Sequence, residues 1–170
     1  HPEVKILNCS LNTSHRYIRT YYARMYEAKF LMGAIAGAMA ENGQLAYIAD
    51  YPIFGTIANI NAFALGAKMV NPRAQVYLEW STLKDVDLGI AMYNVIKKGV
   101  TVVSGRDMVI PEDASRYFGL YHIEKEGPRN LAMPLWHWGK FYEQLIRTIM
   151  DGTWKYDDNK DETKAINYWW

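Results

Sequence analysis

The feature that most constrains this chain is an alternation of two patterns. Short runs of aliphatic, aromatic and β-branched residues take turns with longer stretches of helical composition. Residues 4–7 read as a strand and 17–22 as extended chain, with a polar connection at 8–16. A helix built from Ala, Met, Leu and small residues is expected over 27–41, with Asn42-Gly43 as its stop signal. Residues 45–49 form a buried-type strand, Pro52 and Gly55 mark a turn, and a second helix covers 56–69, closed by Asn71-Pro72. Residues 75–80 alternate like a strand. Ser81 or Thr82 caps a third helix, with Asp85 at capping-box distance of Thr82, and Lys97-Lys98-Gly99 supplies cations at its end. Residues 100–103 and 120–123 read as further strands, 111–114 as a helical turn and 124–130 as a polar loop. A last helix spans 136–150, stopped by Gly152, before a charged loop at 157–163.

Strands alternating with helices imply βαβ units and a parallel sheet flanked by helices, an α/β fold. In such folds ligands bind beyond the carboxyl ends of the strands. Three segments therefore hold the candidate site: residues 50–54, Ser81-Thr82, and residues 104–107. Asp50 and Asp107 are carboxylates at strand ends, suited to accept hydrogen bonds from hydroxyl groups. Tyr51 and Phe54 offer faces on which a flat ring stacks, and Asn59 and Trp80 are further candidates. Ser104-Gly105 would bring backbone N–H groups close to a ligand. The competing reading makes Asp50 a turn cap and Phe54 a core residue.

Composition removes several classes. The chain has 170 residues, with 19 basic and 18 acidic groups and a net charge of +1, so no basic excess marks a nucleic-acid binder. Its single cysteine, Cys9, excludes an internal disulfide framework. The longest apolar run, residues 30–40, is about half of the roughly 20 residues a membrane span needs. No glycine-rich phosphate loop, nucleophile elbow or zinc-protease motif is present. Of the four histidines, His1, His15, His122 and His137, neither His122 nor His137 has a second His or Cys at metal-ligand spacing, and neither a metal nor a cofactor is expected. Nothing beside Cys9 marks it as activated. Gly33 and Gly37, four apart in a helix, are read as close packing of that helix on a sheet. The aromatic share is 14%, with 6 Trp and 13 Tyr, enough for a large core and for a cleft that stacks flat ligands. The chain opens on a strand-like run and closes on Tyr168-Trp169-Trp170, so it is expected to be a piece of a longer protein.

Three stretches in order resemble the Bmp (basic membrane protein) family, the PnrA-like nucleoside-binding lipoproteins of ABC transporters. The opening His1-Pro2-Glu3-Val4-Lys5 is similar to a segment that precedes a strand in the amino-terminal lobe. Tyr26-Glu27-Ala28-Lys29-Phe30-Leu31-Met32-Gly33 is similar to the family's Glu-x-x-Phe-Leu-x-Gly helix start. Leu45-Ala46-Tyr47-Ile48-Ala49 through Asn61-Ala62-Phe63-Ala64-Leu65-Gly66 to Asn71-Pro72 looks like its strand, turn and Asn-Ala-Phe-x-x-Gly helix. The sequence departs from the family where Glu124-Lys125-Glu126 stands in place of an acidic motif containing Gln, and where Gly99-Val100-Thr101 replaces Gly-Ala-Asp.

The resemblance implies a type I periplasmic-binding-protein fold of two α/β lobes. Residues 1–22 would be the tail of the amino-terminal lobe, 23–131 the carboxyl-terminal lobe, and 132–170 a segment returning toward the first. The implied function is solute capture for an ABC-type importer, without catalysis. A nucleoside or similar small molecule would bind between the lobes and pass to a membrane permease. A lipid anchor would hold the parent protein at the extracellular face of the cell membrane or in the periplasm. The site on this reading comprises Asp50, Tyr51, Phe54, Asn59, Trp80 and Asp107. A ligand-sensing domain of the same fold without transport is the alternative. An enzyme on a Rossmann-like sheet, with Asp107 or His122 as acid or base, is the competing class.

Overall fold

The computed structural model describes residues 4–9, 18–50, 52, 54–81, 88–106, 119–154 and 168–169. The expected helical turn at 111–114 and the charged loop at 157–163 lie outside those residues. The chain divides into two compact units, one made of His1–Arg24 with Leu135–Trp170 and the other of Met25–Pro134.

The larger unit is built on a five-stranded sheet. Its elements are helix α1 (Met25–Met39), strand β3 (Gln44–Ala49), helix α2 (Phe54–Val70), strand β4 (Gln75–Trp80), helix α3 (Leu88–Ile96) and strands β5 (Val102–Ser104), β6 (Leu120–Glu124) and β7 (Gly127–Ala132). The strand order is β4-β3-β5-β6-β7. β3 runs parallel to both β4 and β5, which makes the sequence-derived βαβ units real. β6 and β7 extend the sheet antiparallel, so it is parallel-dominated rather than wholly parallel. The segment expected as a polar loop at 124–130 is mostly β7. An edge strand tolerates Pro128, whose missing N–H would break an interior ladder, and exposed polar residues such as Arg129 and Asn130. Asn130 Nδ2 fastens the edge by donating to the carbonyls of Leu120 and Ala132 at 3.3 and 3.4 Å.

β3 is central, and Leu45, Ala46, Tyr47, Ile48 and Ala49 are all at most 1% exposed. A parallel strand covered on both faces reads as a continuous apolar run, which Leu45–Ala49 is. Tyr47, Leu45 and Ala49 face a core shared with Met32, Ala36, Phe63 and Ala67, whereas Ala46 and Ile48 join Ala91, Val95 and Val103 on the other face.

α1 and α2 lie against each other almost backbone to backbone. A Cβ at Gly33 would collide with the carbonyl oxygen of Phe63, and one at Gly66 with that of Phe30; at Gly37 it would stand 2.6 Å from the Ala67 oxygen. The close packing expected of Gly33 and Gly37 is therefore helix on helix, not helix on sheet. α1 ends as expected at Asn42-Gly43, where Gly43 adopts φ 70°, a conformation only glycine enters without strain.

The smaller unit holds β1 (Ile6–Cys9), β2 (Ile18–Tyr22), helix α4 (Trp138–Met150) and β8 (Tyr168–Trp169). β1, β2 and β8 form a parallel sheet in that order. The first strand begins two residues later than the sequence pattern implies. Tyr21 of β2 is the aromatic centre of this unit: it stacks on Phe141 at 4.8 Å and meets Trp138 edge-on at 5.3 Å. Its hydroxyl lies 2.7 Å from that of Tyr142. Trp136 stacks on Trp138 at 6.4 Å. No described helix is long and apolar enough to cross a membrane.

Candidate functional site

Because β3, β4 and β5 are parallel, their carboxyl ends share one edge of the sheet. β3 delivers Asp50, β4 delivers Trp80 and Ser81, and β5 delivers Ser104, Gly105 and Arg106. The register sets Ala49 beside Trp80, and the Ser81 N–H and hydroxyl both donate to the Ala49 carbonyl, at 2.7 and 3.1 Å. These bonds tie the ends of β3 and β4 together next to Asp50.

Asp50 is buried at 5% exposure. Trp80 is exposed at the same strand ends. Asn59 is buried in the second turn of α2. Thr56 stands four positions before Ile60, and Asn59 four before Phe63, on the face that packs into the core, where helical spacing places them. Phe54 is the first residue of α2. Tyr51 and Asp107 lie outside the described residues. The structure thus brings Asp50 and Trp80 to one edge of the sheet and leaves Asn59 on the neighbouring helix, buried.

Helical periodicity also places a lysine in the core. Met25, Lys29, Met32, Gly33, Ala36 and Gly37 form the buried stripe of α1, and Lys29 is 0% exposed. Its Nζ donates to Ser104 Oγ at 3.3 Å and stands 5.1 Å from the centre of the Tyr47 ring. Tyr47 and Ser104 are register partners on β3 and β5, so both point to the α1 side. The hydroxyl and the ring face each offset part of the cost of burying the lysine. The layer between α1, α2 and the sheet is apolar around Phe63 and turns polar through Lys29, Thr56, Asn59 and Ser104.

Arg106 continues beyond β5. Its Nε is shielded from solvent, with no acceptor among the described residues. The expectation that Ser104-Gly105 offers free N–H groups fails at Gly105, whose N–H donates to the Gly119 carbonyl at 2.7 Å as the sheet continues toward β6. Of these two basic residues, Arg106 lies within the strand-end segment 104–107 without having been chosen as a site residue, and Lys29 lies outside all three segments. For Lys29 the usable signal was its place on the Met25–Met32–Ala36 stripe.

His122 approaches Glu124 to 3.3 Å without the alignment of a hydrogen bond, and Glu124 also pairs with Arg129 at 2.7 Å. His122 stands opposite Val102, at the amino end of β5 and away from Asp50 and Arg106. An acid/base role for His122 at the strand-end site has no geometric basis. Partial burial raises the Cys9 thiol above its ordinary pKa, the opposite of an activated nucleophile.

In a parallel-dominated α/β sheet with buried polar groups at the carboxyl ends of its strands, those ends are where small molecules bind. The family description of ABC transporter substrate-binding proteins of the PnrA-like kind, Bmp, matches residues 10–111. That match spans more than half of the chain, and the chain belongs to this family. It is 27% identical to a purine-binding protein of Brucella abortus, over 99% of this chain and 49% of that one. It is 29% identical, over 81% of this chain and 38% of the other, to a Haloferax volcanii protein named for binding glucose in an ABC transporter. A solute-binding protein of an ABC transporter system from Conexibacter woesei shares the fold with a TM-score of 0.56 at 14% identity, covering 82% of this chain and 50% of that one. The chain therefore spans half or less of the length of these relatives.

Proposed function

We propose that the protein captures a nucleoside, or a similar small molecule carrying a purine, for an ABC-type importer. The ligand would bind at the carboxyl ends of β3, β4 and β5 and pass to a membrane permease. Capture would take place outside the cell membrane, with a lipid anchor holding the protein there. The single observation that carries this reading is the buried carboxylate of Asp50 at a tied pair of strand ends, in a chain of the PnrA-like family. Asp50 accepts ribose hydroxyls. Trp80, with Tyr51 and Phe54, supplies stacking faces; Asn59 and Asp107 complete the polar contacts. Residues 1–22 and 132–170 belong to the amino-terminal lobe and its return segment, and 23–131 to the lobe that carries these groups. No covalent chemistry is required: lobe closure exchanges water for fixed hydrogen bonds and stacking.

The purine preference draws on the Brucella relative's name, and the hydroxyl-accepting role of Asp50 also suits the sugar in the Haloferax relative's name. Titration calorimetry of the full-length protein with inosine, adenosine, hypoxanthine and glucose decides between them. Heat with the purine compounds and none with glucose is expected. Heat with glucose alone, or with none of the four in folded protein, overturns the reading.

A further inference from the structure

The carboxyl end of β5 carries more positive charge than the proposed site has used. Lys29 reaches Ser104, the last residue of β5, from α1. Arg106 follows two residues later and, by strand alternation, on the parity of Ser104. Gly105 between them is locked to Gly119 through its N–H, and Arg106 remains in a sheet bridge, so the backbone that presents Arg106 is held on both sides.

Arginine stays charged at any pH the protein meets and offers five donors and no acceptor. Lysine likewise only donates. A solvent-shielded guanidinium nitrogen without an acceptor is uncommon in folded proteins, because the desolvation goes uncompensated. Arg106 Nε is in that position among the described residues. With Nε covered by the protein, a ligand reaches the guanidinium through its Nη groups, which are not shielded in this way and accept no partner but one that presents acceptors. Side by side on one edge, O6 and N7 of a 6-oxopurine are both acceptors, matched to the fork of a guanidinium; adenine sets an N6 amino donor beside N7 and meets a donor-only group with a donor.

We propose that Arg106 is a specificity-determining residue that selects 6-oxopurines, such as hypoxanthine and guanine bases or their nucleosides, over 6-aminopurines. This rests on the reading that the ligand carries a purine. Titration calorimetry of the full-length protein with hypoxanthine and with adenine tests both levels separately. The unsubstituted protein should bind hypoxanthine at least about tenfold more tightly than adenine. Arg106→Gln, whose amide pairs a donor and an acceptor with N7 and N6, should reverse the order, and Arg106→Lys should keep it with a smaller ratio. Circular dichroism and an unchanged melting temperature establish that each variant is folded. Equal affinities for the two bases in the unsubstituted protein, or an equal loss of both in Arg106→Gln, overturn the role of Arg106 and leave purine binding standing. No heat from either base, nor from inosine or adenosine, overturns purine binding and this role with it.

Discussion

Lys29 Nζ donates to Ser104 Oγ at 3.3 Å, joining the first half of α1 to the last residue of β5 across 75 positions of sequence. Both residues are 0% exposed. A charged donor in a dry layer depends on its few acceptors far more than a surface lysine does. Ser104→Ala removes one of them and is expected to destabilise by about 1.5–3 kcal/mol. Ser81→Ala breaks a neutral hydroxyl bond to Ala49 and should lose about 0.5–1.5 kcal/mol. Urea unfolding of the two variants side by side checks the order; a larger loss at Ser81 would remove the special place given to Lys29.

The contact of α1 with α2 predicts opposite outcomes for two alanine substitutions. At Gly33 a methyl group has nowhere to go but into the Phe63 carbonyl, so Gly33→Ala should cost about 1–3 kcal/mol or more as the helices separate. At Gly139, near the start of α4, no atom of the described residues lies within 4 Å of a new Cβ, and Gly139→Ala should gain about 0.4–1 kcal/mol by restricting the unfolded chain. Thermal unfolding reads both signs in one experiment.

The Tyr21 phenol predicts a loss of stability in alkali. Burial first, and then the hydrogen bond with Tyr142, raise its pKa above the ordinary value of about 10. The folded state therefore keeps a proton that the unfolded chain gives up. Stability is undiminished below pH about 10 and falls as pH rises from there toward the raised value. Tyr21→Phe should flatten this alkaline slope, while lowering neutral-pH stability by about 0.5–1.5 kcal/mol for the lost hydroxyl bond. An unchanged slope in urea melts between pH 8 and pH 11 would show that Tyr21 does not set it.

Asp50 should discriminate between a nucleoside and its free base. If its carboxylate accepts ribose hydroxyls, Asp50→Asn should weaken inosine by roughly tenfold or more and leave hypoxanthine nearly untouched. Paired calorimetric titrations measure this difference, and an equal effect on both ligands would place Asp50 elsewhere in the site.

Much of the fold was legible because it rests on local patterns. The run from Leu45 to Ala49 is apolar throughout, as a doubly covered strand must be, and Gln75–Trp80 mixes polar with apolar residues where only one strand neighbours it. β7 escaped because its support is not in its own residues. Pro128, Arg129 and Asn130 carry loop chemistry, and their pairing depends on the exposed edge that β6 offers. The placement of Asp50, Trp80 and Ser81 at the carboxyl ends of β3 and β4 was legible, since it needs only the order of elements. The strand-end rule passed over Lys29, because a lysine on an apolar stripe is recognised only once the stripe is known to be covered. It also passed over the orphaned Nε of Arg106, since solvent shielding is a property of packing.

The glycine contacts between α1 and α2 have a mechanical consequence. Side chains can slide and change rotamer, but a carbonyl oxygen seated against a glycine Cα cannot. At Gly33 and Gly66 there is no compliant layer between the two helices. The pair forms a stiff plate beneath the strand ends. Any displacement of α2 must therefore carry α1 with it.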